Sequence, residues 1–305
     1  MRASRVALTI FLDVLFAVTA AGQTAVATLP GSTRSAGLGG AGVALVGDAG
    51  ALFANPAGIA TVRHIAVEGS YEPYLGGTTL SSGAFAIRLL HFHLGAGVQA
   101  LDYGTEPEIV PDPSTGGRTG MPTGNTFRST DLLGVGTLVY RYGLIAVGAS
   151  GKYARQQIGT WSADAWAGDA GLAIALFDIM AFGASVQNLG GDLGNGARLP
   201  RRTRVGFTMN YVDPEGAYRL LTTLEGQWLA GGKAVLVTGL EGGVVTRGVG
   251  LVGRVGYAAH GPGNDASPLS FGAGVELGRL HLDYAYQNYD ALGGGLSRVG
   301  VRWTP

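Results

Sequence analysis

From Ile65 onward the chain alternates apolar and polar residues with period two, and this pattern leaves few folds open. Successive side chains of a β-strand point to opposite faces, so a sustained period of two predicts strands with one apolar face. In Leu269–Leu277 the residues Leu269, Phe271, Ala273, Val275 and Leu277 share one face, opposite Ser270, Gly272, Gly274 and Glu276. Arg202–Tyr211 sets Val205, Phe207, Met209 and Tyr211 against Arg204, Gly206, Thr208 and Asn210. Leu280–Gln287 and Phe92–Ala100 repeat the pattern. Asp131–Tyr140 and Ala234–Val244 are apolar on both faces and are read as strands mainly from their spacing. Fourteen strands fit, centred near residues 69, 84, 97, 135, 150, 170, 184, 207, 224, 240, 254, 273, 284 and 300. Each strand with its connection then takes roughly seventeen residues, enough for the ~9–11 that a tilted strand needs in a bilayer core.

The connections sort by length. Those after even-numbered strands are short: Leu90-His91, Arg141–Gly143, Phe177-Asp178, Asp213–Gly216, Thr246–Gly248 and Gly278. The long ones, Gly104–Phe127, Gly190–Pro200, His260–Ser267 and Asp290–Gly295, follow odd-numbered strands. Short turns at one end and long loops at the other are the habit of outer-membrane barrels. The polar face is also too charged for a dry core. By alternation it carries Glu68, Arg88, Lys152, Asp169, Arg204, Glu225, Glu241, Arg254, Glu276, Asp283, Arg298 and Arg302. Buried unpaired charges are costly, whereas a wet or plugged lumen accepts both signs. Tyr71, Tyr142, Tyr211, Tyr257, Tyr289 and Trp303 stand near strand ends, where rings form interfacial girdles.

Composition agrees with a transmembrane antiparallel β-barrel, an all-β fold. Charged residues make up 14% of the chain, against about 25% in soluble domains. Lys plus Arg and Asp plus Glu are 21 each, so there is no basic excess to meet nucleic-acid phosphates. Glycine, at 54 of 305 residues, runs far above the usual ~7%; a barrel interior that needs small side chains tolerates it. With no cysteine, disulfides and thiol chemistry are out. Residues 1–22 read as a signal peptide: Arg2 and Arg5, then the apolar run Val6–Val18 interrupted by Asp13, then Ala20-Ala21-Gly22. Residues 23–62 do not alternate and are assigned to an N-terminal plug, and residues 63–305 to the barrel.

Within the plug, Thr33-Arg34, Gly37, Gly39-Gly40-Ala41, Val43-Ala44, Asp48, Ala51, Phe53 and Asn55-Pro56-Ala57-Gly58 form a spaced motif. Val186-Gln187-Asn188-Leu189-Gly190 adds a strand-end signature. Together these resemble the PorV/PorQ family, within the broader FadL-like outer-membrane barrels. Thr33 stands where the family usually has serine, and the chain ends Trp303-Thr304-Pro305 rather than on an aromatic residue. The resemblance implies a fourteen-stranded barrel in the bacterial outer membrane whose N-terminal segment folds inward as a hatch. It further implies passage of hydrophobic molecules, or alternatively a protein-binding role in type IX-like secretion. The expected partners are outer-membrane lipids and either a hydrophobic ligand or a secreted client held by loop Gly104–Phe127. The residues singled out for the hatch are Gly39, Gly40, Asp48, Phe53, Asn55 and Pro56.

Other chemistry has weaker support. Gly37–Gly42 fits GxGxxG but lacks the βαβ unit a dinucleotide needs. His91 and His93 lack a third metal ligand, and Glu106, Glu108, Asp112 and Asp131 match no EF-hand. No G-x-S-x-G elbow occurs. No enzyme, cofactor or metal centre is expected.

Overall fold

The computed structural model describes residues 25–305 except 177–178, 195–196, 213–215, 231, 233, 260–265 and 290–293. The signal-peptide assignment lies outside the described residues, as do the connection Phe177-Asp178 and parts of four others named above. The strands are β1 (Ile65–Pro73), β2 (Thr79–Leu89), β3 (Phe92–Pro111), β4 (Gly120–Tyr142), β5 (Ile145–Ile158), β6 (Trp161–Leu176) and β7 (Met180–Gly190). A small hairpin of β8 (Asp192–Gly194) and β9 (Ala197–Arg198) follows. Then come β10 (Arg202–Asn210), β11 (Tyr218–Leu229), β12 (Ala234–Thr246), β13 (Val249–Ala258), β14 (Ala266–Leu277), β15 (Leu280–Tyr289) and β16 (Gly294–Trp303).

All but β8 and β9 pair with their sequence neighbours, and β1 closes on β16, with Glu68 opposite Arg302. The result is a closed antiparallel barrel of fourteen strands with no free edge. Each of the fourteen strand centres read from the sequence falls inside one of these strands.

Alternation sets the two faces. Val67, Phe85, Leu94, Leu138, Val147 and Val301 point outward and are exposed, among many apolar neighbours. Tyr71, Tyr142, Tyr211, Tyr257 and Trp303 are exposed near strand ends, whereas Tyr289 faces inward and borders the lumen. It sits in register with the inward Asp283, Ala285 and Gln287, so the strand period decides its side.

The connection expected at Gly104–Phe127 is instead mostly strand. β3 and β4 continue pairing to Pro111↔Gly120, leaving residues 112–119 as the loop. Gly104, at φ +79°, and Pro107 are absorbed as register shifts at Asp102/Thr105 and Pro107/Ile109. Such bulges let a strand carry residues that would otherwise end it. Beyond Asp102 neither β3 nor β4 has another neighbour until Ser129, so this hairpin projects past the barrel wall.

Residues 25–62 fill the lumen. They form a 3-10 turn Ala25–Thr28, a one-turn helix Thr33–Gly37, and 3-10 turns Ala49–Phe53 and Pro56–Thr61. Leu38, Leu52 and Ile59 have no exposed surface. Leu52, Phe53 and Ile59 pack with Leu80, Leu101, Leu133 and Val135 of β2–β4, and Leu38 packs with Leu221 and Val237. This explains the two strands that looked apolar on both faces: their inner faces meet the apolar side of the plug rather than water.

Candidate functional site

The plug approaches the wall closely because the wall lacks side chains where its backbone passes. A Cβ on Gly183 would lie 2.0 Å from the Val43 carbonyl oxygen, and one on Gly256 would lie 2.0 Å from the Gly39 nitrogen. The glycine excess is in part this lining. Gly39 and Gly40 have φ of +75° and +85°, a region L side chains rarely adopt. A Cβ on Gly39 would lie 3.1 Å from Val237 and 3.2 Å from the Tyr257 nitrogen, while one on Gly40 would meet only Pro30 at 3.9 Å, so only the first serves close approach.

Asn55 is fully buried. Its Nδ2 donates to the Val43 carbonyl at 2.7 Å and to the Leu172 carbonyl of β6 at 3.0 Å. Its Oδ1 accepts from the Ala57 amide at 3.0 Å, capping the turn that Pro56 opens. Pro at that position forgoes an N–H that would have been unsatisfied anyway. The motif thus ties two plug segments to each other and to the wall. Phe53 packs against Gly97, and its carbonyl accepts from Gln187 Nε2 at 2.7 Å. The Ala54 carbonyl accepts from Ser185 Oγ at 2.8 Å. In the same strand-end signature Asn188, at φ +59°, accepts from Lys152 Nζ at 3.0 Å and donates to the Pro200 carbonyl at 2.7 Å.

On the opposite side a closed ring of six alternating charges joins plug to wall. Arg34 donates side-on to Glu241 of β12, both bonds at 2.8 Å, and to Asp48 at 2.9 Å. Arg254 of β13 donates to Glu241 and to Asp283 of β15, each at 2.6 Å. Arg302 of β16 donates to Asp283 at 2.9 Å and closes the ring on Asp48. Between β13 and β15 the intervening strand offers Gly274, where a Cβ would stand 2.9 Å from Asp283 Oδ1, so the Arg254–Asp283 pair reaches across β14. Three cations and three carboxylates leave the ring neutral. Burial pushes the Asp48 carboxyl up, but the Arg302 and Arg34 guanidiniums overcome this and hold it well below the usual carboxylate range. Burial opposes the charge on Arg34, and Glu241 and Asp48 more than restore it.

Further anchors complete the circuit. Glu225 accepts from the Gly42 and Val43 amides at 2.7 and 2.8 Å and pairs with Arg204 at 3.3 Å. Glu68 accepts from the Gly50 amide at 2.9 Å. Lys152 and Asp169 pair at 2.7 Å, both buried. Arg298 pairs with Glu72 and donates to the Pro30 carbonyl at 2.6 Å.

Two of the charges read as lumenal stand at the rim of the barrel. Arg88 is exposed and donates to the Leu90 carbonyl at 3.1 Å, bracing the short turn. Glu276 is partly exposed and meets Arg219 at 3.4 Å and His281 at 3.7 Å. Both keep the inward side of their strands but lie near the short-turn end, where the plug no longer covers them. His91 is exposed in a turn while His93 is buried; Glu108 accepts from Thr123 across the β3–β4 hairpin, and Asp112 accepts from Ser114 within the loop. Among the described residues no three His, Asp or Glu side chains converge as a metal site. Sequence reasoning gave no role to Arg34, Glu72, Gln187 or Arg202. Arg34 and Gln187 stood inside the quoted motifs, but Glu72 and Arg202 carried no signal beyond their charge.

At the long-loop end, above the plug, lies a cavity of about 210 Å³ bordered by Thr28–Pro30, Tyr74, Arg202, Tyr289, Leu296 and Arg298, among others. A second space of about 20 Å³ lies within the plug, on the other side of Leu29 and Pro30.

No protein-family model matches the chain, and no curated protein matches it. Solved structures do. The toluene transporter TodX of Pseudomonas putida superposes with a TM-score of 0.61 at 14% identity, covering 92% of this chain and 98% of that one. The Ralstonia pickettii toluene transporter TbuX gives 0.56 at 16% identity, with 90% and 97% covered. A Pseudomonas aeruginosa FadL homologue gives 0.57 at 14% identity, with 93% and 100% covered. At such identities the likeness establishes the fold: this chain has the barrel architecture of the FadL-like proteins.

Proposed function

We propose that the protein is exported to the bacterial outer membrane and forms a conduit there for small hydrophobic molecules. The observation that carries this reading is the inverted polarity of the barrel. Val, Leu and Phe cover its outside, and ion pairs line its inside. A closed barrel satisfies its own backbone and so tolerates hydrocarbon around it. Residues 1–22 supply the export signal. The two toluene transporters of the same fold support a hydrophobic cargo. From Arg34 to Thr61 the plug is anchored to many strands. The strap Thr28–Pro30 takes wall hydrogen bonds from the side chains of Arg202, Arg298 and Gln99. Passage then proceeds by movement of this strap, with the motif around Asn55 holding the rest of the plug in place.

The test is hydrocarbon entry into vesicles that carry lipopolysaccharide in the outer leaflet, with and without the reconstituted protein. Labelled toluene should enter faster with the protein, and equal rates would end the conduit reading. A protein that stays in solution without detergent would end the membrane reading as well. The projecting β3–β4 hairpin favours a second reading, a PorV-like module that binds a secretion client. It exposes Ile109 and Met121 at 62% and 44%. Deleting residues 105–126 should then abolish co-purification of a client while the barrel stays folded; unchanged co-purification would dispose of that reading.

A further inference from the structure

The cavity at the long-loop end has a definite size and an unbalanced charge. Its volume of about 210 Å³ exceeds the ~150 Å³ of a dry cavity that takes benzene. One aromatic ring with a small substituent fills it, and a long acyl chain does not fit within it. Tyr74, Tyr289 and Leu296 give it apolar wall, and the two tyrosine hydroxyls share a hydrogen bond.

The charge follows from a census of the cations on this side of the lumen. Lys152 is matched by Asp169, Arg204 by Glu225 and Arg298 by Glu72. Arg202 makes no direct ion pair among the described residues, and the carboxylate that reaches it, Glu225, is already engaged by Arg204 and the Gly42 and Val43 amides. Arg202 Nη2 donates to the Thr28 carbonyl at 3.1 Å. A guanidinium has five N–H donors, and a half-buried one without a direct ion pair keeps unused donors and part of its desolvation cost. A carboxylate meets a guanidinium with two parallel bonds. A neutral hydrocarbon in the same cavity would cover Arg202 and give it nothing in return.

Resting on the conduit reading, we propose that this cavity is a binding site for a compact aromatic monocarboxylate, held through its carboxylate by Arg202 and through its ring by Tyr74, Tyr289 and Leu296. The site selects its ligand by charge, because a neutral ring of the same shape leaves the guanidinium unpaired.

The experiment is calorimetry on the full-length protein in detergent, with benzoate as probe and benzyl alcohol as its uncharged counterpart. Wild type should bind benzoate at least tenfold more tightly than the alcohol. Arg202→Gln should weaken benzoate about ten- to a hundredfold, as expected for losing hydrogen bonds to a charged group, and erase the preference. Leu296→Trp, which fills the cavity from the wall, should abolish benzoate binding in a barrel that keeps its heat-modifiable mobility. The proposal is overturned if wild type ignores benzoate or binds both probes alike, or if folded Arg202→Gln retains its benzoate affinity. Toluene entry into the lipopolysaccharide vesicles separates the two levels. Toluene entry without benzoate binding removes this site alone, and absence of both removes the conduit reading too.

Discussion

Asn55 offers the sharpest test of how the plug is held. Replacing it with alanine removes three hydrogen bonds, to the Val43 carbonyl, the Leu172 carbonyl and the Ala57 amide, all at a position with no solvent exposure. At about 1 kcal/mol net per bond, plus part of the penalty for the buried groups left behind, the loss should reach about 3–5 kcal/mol. Asn55→Asp separates geometry from size. It keeps an oxygen for the Ala57 amide but turns a carboxylate oxygen toward the two carbonyl oxygens that the amide nitrogen had bound. At neutral pH it should therefore be less stable than Asn55→Ala. Burial and the facing carbonyls favour the protonated acid, so the gap should narrow as the pH falls. Guanidinium unfolding in detergent followed by tryptophan fluorescence, with heat-modifiable mobility as a check on the barrel, measures both. An Asn55→Ala protein within 0.5 kcal/mol of wild type would refute the reasoning, and so would an Asn55→Asp protein more stable than it at neutral pH. A variant with an intact barrel and lost uptake would move Asn55 from architecture to passage.

The charge ring makes a second prediction. Arg34→Met should cost about 3 kcal/mol, in the range for breaking a buried pair, and Arg34→Met with Asp48→Leu should recover part of it by restoring neutrality. A coupling energy under about 0.5 kcal/mol in the double-mutant cycle would show the pair to be independent. Asp48 has a folded-state pKa below its unfolded one, so its contribution is full above about pH 4 and fades as the pH falls through the folded value. The stability difference between wild type and Asp48→Asn should shrink on acidification, and a difference flat in pH would contradict the ring. For the lining, Gly183→Ala drives a methyl into the Val43 carbonyl and should displace the plug, read as faster proteolysis of residues 25–62. Gly136→Ala, which meets nothing within 4 Å, should stay within about 0.5 kcal/mol of wild type.

The barrel was legible because its signal is local. Period two needs only neighbouring residues, and it placed the strand centres together with the regular spacing that supplied those in Asp131–Tyr140 and Ala234–Val244. Depth along the barrel is not local, and this is why Arg88 and Glu276 were assigned to the lumen when they stand at its rim. Alternation reports the face of a strand and says nothing about whether the plug reaches that level. The stretch 104–127 failed for another reason. Its Gly and Pro are loop residues by composition, yet two bulges absorb Gly104 and Pro107 within a continuing ladder.

The site was legible in its parts but not in its pairing. Asp48, Glu241, Arg254, Asp283 and Arg302 were all visible as polar residues in an apolar setting, and Arg34 stood in a motif. Which carboxylate meets which guanidinium depends on closure of β1 onto β16 and on a plug residue reaching a wall residue 207 positions away. No local pattern carries that information. The same holds for the glycines. Their excess was plain in the composition, but their reason is the path of another segment, as at Gly183 beside Val43 and Gly274 beneath the Arg254–Asp283 pair. A cation that stays unmatched after such closure is therefore informative. The fold has brought a carboxylate to Lys152, Arg204, Arg254, Arg298 and Arg302. Among the described residues, Arg202 is the one cation bordering the outer cavity that makes no direct ion pair.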